Sequence, residues 1–426
     1  MNADFSNLPF RPADILLPRD CDYDKWSVVA CDQYTSQPEY WQRVEERVGR
    51  APSALRLILP ESSLDGPQVE MDIMEINSTM SRYVREGRFK TLPWAMVYVE
   101  RTLSNGRVRR GLVGMADLNA YDYEPGSDAP IRATEGVVLS RIPPRVAVRK
   151  NAPIELPHVM LLTDDPDRTV IEPLAAQTDT MELLYDFDLM EQGGHLKGWL
   201  LTEEQLDQVA GALSALADPA AFNARYRTEN QPVMLFAVGD GNHPLATAKE
   251  CYERQKRLTP REKWDELPAR YALCELVNLH DDSLEFEPIH RVVFHTEPEE
   301  LLNALISRCP GAGWGSGAGL PVRYVYAGTE GVVTLPRSAA QLTVGALQSF
   351  LDDYLMDRPG RVDYIHGEDV AREFAARPGN IAFLLPPMAK EELFPSVIHG
   401  GVLPRKTFSM GEAHDKRFYL EARKIR

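Results

Sequence analysis

The sequence has no Cys-x-x-Cys pair, and its five cysteines (Cys21, Cys31, Cys251, Cys274 and Cys309) are odd in number and widely spaced. That argues against a disulfide framework and a structural zinc site, and it reads as buried thiols in a reducing compartment. No apolar run approaches the ~18 residues that cross a bilayer. Residues 1–10 carry no basic segment leading into an apolar core, so a cytoplasmic location is expected. Basic charge is scarce: 47 Lys and Arg face 63 Asp and Glu, for a net charge of −16. Such a balance opposes nucleic acid and anionic membranes and points to a small-molecule partner. The Walker loop, the His-Glu-x-x-His pair and the Gly-x-Ser-x-Gly elbow are also missing, which leaves the familiar ATPase, zinc-protease and serine-hydrolase readings without their residues.

What is present is an ordinary globular composition, 44% hydrophobic and 26% charged over 426 residues, enough for about two to three domains. The order of elements is mixed α and β. Strands are expected at Asp14 to Leu17 and Trp26 to Ala30, then a polar turn from Cys31 to Ser36 and a helix from Pro38 to Val48. Glu70 to Glu86 has helical spacing and ends at Gly87. Residues 96–100 and 108–115 alternate around Asn105-Gly106, the strongest hairpin signal in the chain. Further strands are expected at His158 to Thr163 and Arg270 to Leu279, with a helix at Thr202 to Leu216. A boundary is placed near Glu297, followed by an α+β domain and a final strand from Arg417 to Ile425.

The most informative stretch is Pro232 to Val238, an apolar strand, followed by Gly239-Asp240-Gly241-Asn242-His243 and then helical spacing from Pro244 through Tyr252. A strand, a tight turn and a helix start leave N–H groups without intrahelical partners and aim partial positive charge at the turn, which suits phosphate. Pro244 is read as the first helical residue, with His243 as the cap and Leu245 and Ala246 as donors. A ligand-free connector is the plain alternative. Asp240 and His243 within the turn favour a site, His243 as base or phosphate ligand.

Other clusters are less specific. Arg132, Arg141 and Arg145 are close in sequence in an acidic chain and could neutralise phosphate, or could form ordinary ion pairs. Asp164, Asp165 and Asp167 could hold Mg2+, but Asp-Asp-Pro-Asp is more often a capped turn. His290 reads as a satisfied core or interface histidine, and residues 402–413 as a basic segment that either closes over an anion or is simply solvated.

Phe236 to His243, together with Arg132-Ala133-Thr134-Glu135, His158 to Arg168 and Leu403 to Met410, resembles the bacterial family called domain of unknown function 1015, over nearly the whole chain. The turn is also similar to the Asp-Gly-His-His-Arg signature of the ParB and sulfiredoxin superfamily, which includes CTP-hydrolysing partition proteins, sulfiredoxin and free-serine kinases. Asp240, Gly241 and His243 match that signature. Asn242 replaces its first His, and Pro244 replaces its Arg, removing one charged phosphate donor. Asp32 is taken as the counterpart of the kinases' acidic catalytic residue.

These resemblances imply a ParB/sulfiredoxin-like nucleotide-binding core in residues 1–296, split by a long insertion at about 50–225, and an α+β domain in 297–426. They imply a nucleotide- and Mg-dependent small-molecule phosphotransferase or nucleotide hydrolase, with Mg2+ and ATP, ADP or CTP as ligands. Asp240, His243 and Asp32 are the expected catalytic residues, Asp240 also the metal ligand. Gly239, Gly241, Asn242, Leu245, Ala246, Arg132, Arg141 and Arg145 are the expected nucleotide contacts. A non-catalytic nucleotide-sensing or scaffold protein is the alternative.

Overall fold

The computed structural model describes residues 4–35, 37–64, 66–138, 142–337 and 342–426. The chain forms two units, Met1–Leu284 with Gly411–Arg426, and Glu285–Met410. The division therefore falls before the expected Glu297, because the strand Phe286–Phe294 is hydrogen-bonded between Asn380–Leu384 and Arg361–His366 of the second unit. Residues 411–426 return to the first unit instead of closing an α+β domain that runs to the C-terminus.

The first unit is built on a mixed sheet. Its order is Glu182–Asp188, His195–Leu200, Val97–Thr102, Val108–Asp117, Tyr271–Asn278, Met160–Thr163, Phe236–Asp240, Ile131–Ala133 and Tyr121–Asp122. Both faces are covered, and the period-two alternation of a strand divides its residues between them. Val97 and Val99 enter one core with Trp26, Ile154 and Leu273, while Tyr98 enters the other with Phe236, Val238 and Leu245. The helix Asn242–Arg257 lies on this second face, through Leu245, Ala248 and Tyr252. In the second unit, Thr329–Leu335, Leu320–Tyr326, Asn380–Leu384, Phe286–Phe294 and Arg361–His366 form a largely antiparallel sheet. Its own core includes Leu301, Leu347 and Phe383.

Where local chemistry is strong, the elements match their sequence signals. Pro38–Val48 begins on its proline and stops at Gly49, and Val97–Thr102 pairs with Val108–Asp117 around Asn105-Gly106. Two expected strands are not formed. Trp26 to Ala30 is instead the end of a short helix, Tyr23–Trp26, and an extended buried segment. Its backbone meets the C-terminal tail through Tyr419 N–H to the Val28 carbonyl and Ala30 N–H to the Arg417 carbonyl. Across residues 417–425 the tail forms a ladder at Arg423–Lys424 and otherwise isolated bridges, Phe418 to Val29 and Ala422 to Leu16. Both stretches are apolar because they are buried against each other, not because they are ladder strands. Among the described residues no helix is long and apolar enough to cross a membrane.

Candidate functional site

The strand Phe236–Asp240 runs parallel to Ile131–Ala133 on one side and antiparallel to Met160–Thr163 on the other. Its apolar residues are fully buried, so the chain can turn only where Gly239-Asp240-Gly241 interrupts them. Gly241 caps the helix in the left-handed region, at φ +85. A side chain there would be strained by about 1–2 kcal/mol, and its Cβ would also stand 3.0 Å from Val159 Cα. Thr134 pins the turn: its hydroxyl donates to the Val238 carbonyl (2.6 Å) and accepts from Asn242 Nδ2 (3.3 Å), while its N–H donates to Asn242 Oδ1 (3.2 Å). The Arg-Ala-Thr-Glu segment thus serves the turn through its threonine.

This geometry corrects the cap. Gly241, not His243, is the N-cap, and Asn242 and His243 open the helix ahead of its intrahelical ladder. Pro244 sits third, where its missing N–H is equally harmless. Leu245 N–H is already bonded to the Gly241 carbonyl at 3.0 Å, and Ala246 lies beyond the first four positions, so neither donates to a ligand. His243 Nε2 accepts from Val138 N–H (3.2 Å), which occupies the lone pair a base would use.

Asp240 Oδ1 accepts from Gly241 N–H at 2.9 Å, and Oδ2 lies 3.2 Å from Lys416 Nζ. Lys416 also acts on Asp32. Burial pushes the Asp32 pKa up, but the nearby His158, a hydrogen bond from Gln33 and the Lys416 charge together outweigh it and hold the carboxyl below its ordinary value. His158 is buried, its Nδ1 sharing a 2.7 Å hydrogen bond with the Tyr419 hydroxyl, which in turn accepts from Cys31 N–H at 3.1 Å. Asp240 is thus paired with Lys416, and the charges of both His158 and Lys416 act on Asp32. Asp32 and Asp240 were expected from sequence. Lys416 and His158 were not named as site residues; the only signal for Lys416 is the charged cluster His414-Asp415-Lys416-Arg417 feeding the apolar Phe418-Tyr419-Leu420.

Lys416 is anchored through its neighbours in the chain. Arg417 donates to Glu275, to Glu421 Oε2 at 2.6 Å and to the Pro157 carbonyl at 3.2 Å, all buried. Arg101 Nη2 donates to the His414 carbonyl at 2.9 Å, and Ser104 binds both oxygens of Asp415 at 2.9 Å. The backbone around Lys416 is fixed on both sides.

Two of the expected arginines are spent elsewhere. Arg132 donates to the Ala129 (2.9 Å) and Pro232 (3.1 Å) carbonyls, a buried brace under the strand, and desolvation lowers its pKa. Arg145 is paired with Glu61. Arg141 lies outside the described residues. Among those residues no group of three or more His, Cys, Asp and Glu side chains could hold a metal. Of the two Asp240 oxygens, one accepts from a backbone N–H and one faces an ammonium. The Asp164 to Asp167 run is a capped turn: Asp165 Oδ2 accepts from Thr169 (2.6 Å) and Val170 (2.9 Å) N–H, and Asp164 binds His280. In the second unit, His290 is the satisfied core histidine expected, its Nδ1 accepting from Leu385 N–H.

A comparison with the curated proteins finds no match. Among solved structures, a free serine kinase in complex with AMP is similar at 10% identity, covering 73% of this chain and 91% of that one, with a TM-score of 0.40. A free serine kinase variant in complex with ADP gives 10%, 75%, 93% and 0.41. SbnI from Staphylococcus aureus, truncated at its C-terminus, gives 9%, 70%, 82% and 0.37. The family model described as Protein of unknown function (DUF1015) matches residues 12–352, and the chain belongs to that family.

Proposed function

We propose that this protein binds a nucleotide by its phosphates at the start of the 242–257 helix and acts as a small-molecule phosphotransferase or nucleotide hydrolase. The observation that carries this reading is the ion pair of Asp240 with Lys416 beside a glycine turn that opens a helix, with Asp32 in the field of the same cation. The ParB and sulfiredoxin resemblance of Asp240-Gly241-Asn242-His243 supports it.

Phosphoryl transfer depends mostly on positioning and on charge stabilisation. The first helical N–H groups supply fixed donors, and Lys416 replaces the arginine that the turn lacks as the mobile cation. Asp240 orients Lys416 in the absence of ligand. Asp32, ionised at neutral pH, accepts the proton of the attacking hydroxyl or water while the bond from that oxygen to phosphorus forms and the leaving phosphate departs. Mg2+ would come with the incoming nucleotide as its counter-ion, since among the described residues no group of three or more His, Cys, Asp and Glu side chains could hold it.

The test is 31P NMR of ATP, ADP and CTP with Mg2+ in the presence of the purified protein, with water and then small alcohols as acceptor. Turnover is expected, and Asp32→Asn lowers it by about 10²–10⁴-fold while binding persists. Binding without turnover across the acceptors would favour the nucleotide-sensing alternative.

A further inference from the structure

Beside the 242–257 helix, the first unit contains a cavity of about 160 Å3, walled by Leu57, Ile58, Met80, Ala152, Ile154 and Leu273. The helix Ile142–Arg149 supplies its charged wall. Arg145, Val148 and Arg149 all line the cavity, because residues three and four apart share one face of a helix. Arg145 is paired there with Glu61.

Arg149 is matched only in part. It pairs with Glu155 at 2.5 Å, but that carboxylate also accepts from Arg423 Nε at 2.7 Å and from Leu273 N–H at 2.9 Å. The three side chains are largely enclosed, Arg149 being 18% exposed, Arg423 6% and Glu155 4%. Burial pushes the Glu155 pKa up, but Arg149 and Arg423 outweigh it and hold the carboxyl below its ordinary value, so it is ionised at neutral pH. One negative charge therefore serves two positive ones at the cavity wall. An enclosed charge without a counter-charge of its own is costly. In a chain of net charge −16, this wall is short of one anion.

We propose that the cavity binds a small monocarboxylate with an apolar body of benzene or branched-alkyl size, its carboxylate ion-paired to Arg149 and its body against Leu57, Ile58, Met80 and Leu273. This binding is independent of the nucleotide reading. Charge and size select the ligand class. One surplus guanidinium balances one negative charge, whereas a phosphate monoester brings nearly two at neutral pH. An apolar cavity of about 150 Å3 admits benzene. A nucleobase would bury several polar edge atoms against these apolar walls without partners. Arg149 can turn to the ligand at little cost to Glu155, which keeps Arg423 and the Leu273 N–H.

The test is 19F NMR on the full chain without nucleotide, with 4-fluorobenzoate and its neutral isostere 4-fluorobenzamide as probes. The benzoate is expected to bind roughly 10–100-fold more tightly, the worth of a hydrogen bond to a charged group, and neither acetate nor AMP should displace it. Arg149→Met should abolish that preference while both probes still bind, since the apolar walls are unchanged. Equal affinity of the two probes, no binding to the wild type, or displacement by AMP overturns the proposal. Displacement by acetate at concentrations matching the benzoate also overturns it, by marking a surface anion site that makes no use of the cavity. A preference retained in folded Arg149→Met does the same, and the wild-type readouts decide the matter even if that variant does not fold. Loss of nucleotide binding alone would sink the phosphotransfer reading and leave the cavity's ligand class standing.

Discussion

Arg417→Met tests the support beneath the site. In the native fold the Arg417 side chain is 6% exposed and bridges Glu275 and Glu421, each 2% exposed. Methionine keeps most of the packing volume but leaves two buried carboxylates with weaker partners: Arg109 Nε at 3.5 Å from Glu275 and the Tyr185 hydroxyl at 2.5 Å from Glu421. Removing one member of a buried ion pair costs about 3–5 kcal/mol, because the remaining charge is stranded. For a unit of this size that is a fall in Tm on the order of 10 °C. The pH dependence carries a sign. Burial pushes the Glu275 pKa up, but Arg109 and Arg417 outweigh it and hold it below the ordinary value. In the wild type its contribution is therefore present above an unfolded pKa of about 4.3, and is lost as pH falls through the lower folded value. In the variant the balance tips toward burial, and the folded pKa rises above the unfolded one. The penalty then exists at neutral pH and is relieved as pH falls through that raised value, so the variant's deficit narrows on acidification. Tryptophan fluorescence during heating reports chiefly on this unit, since Trp314 alone of the six tryptophans lies in the second. A deficit below about 1 kcal/mol at neutral pH, or one that widens on acidification, would refute the reasoning.

Three further outcomes are expected. Gly241→Ala should cost about 1–2 kcal/mol from its left-handed backbone, more because its Cβ meets Val159 Cα; thermal unfolding reads the loss, and an unchanged Tm would contradict the turn geometry. Thr134→Val removes a buried hydroxyl that donates to Val238 and accepts from Asn242, and should lower stability by about 1–3 kcal/mol, measured by urea titration. Asp32 is held below its ordinary value, so its contribution is present above an unfolded pKa of about 3.9 and lost as pH falls below it; Asp32→Asn should make acid unfolding shallower in that window, and an identical acid limb would contradict the His158 and Lys416 field.

The turn itself was legible because backbone chemistry is local: an apolar run, glycines and a proline fix a strand, a bend and a helix within a dozen or so residues. Its details were not, since placing the cap one or two residues away depends on Gly241 taking the left-handed conformation against Val159, a contact made by a distant strand. Asp32 was reached from a resemblance and Asp240 from the turn, and the Lys416 charge acts on both. Arg132 and Arg145 misled because an arginine's partner is set by the fold: backbone carbonyls for one, Glu61 for the other. Lys416 and His158 were illegible for the same reason in reverse, being brought in by the C-terminal tail and by the approach to the 160–163 strand. Pairing of the tail with residues 13–30 is non-local and irregular, so its apolar residues imitate a strand in sequence.

In the proposed function, nucleotide phosphates bind at the Gly241 turn with Lys416 as their cation. Thermal stabilisation of the wild type and Lys416→Ala by ATP, ADP and CTP, with and without Mg2+, tests it most directly. At least one nucleotide is expected to add about 2.7 kcal/mol at one hundred times its Kd, and Lys416→Ala to weaken this binding at least tenfold. No stabilisation by any nucleotide, or equal affinity in Lys416→Ala, would contradict it.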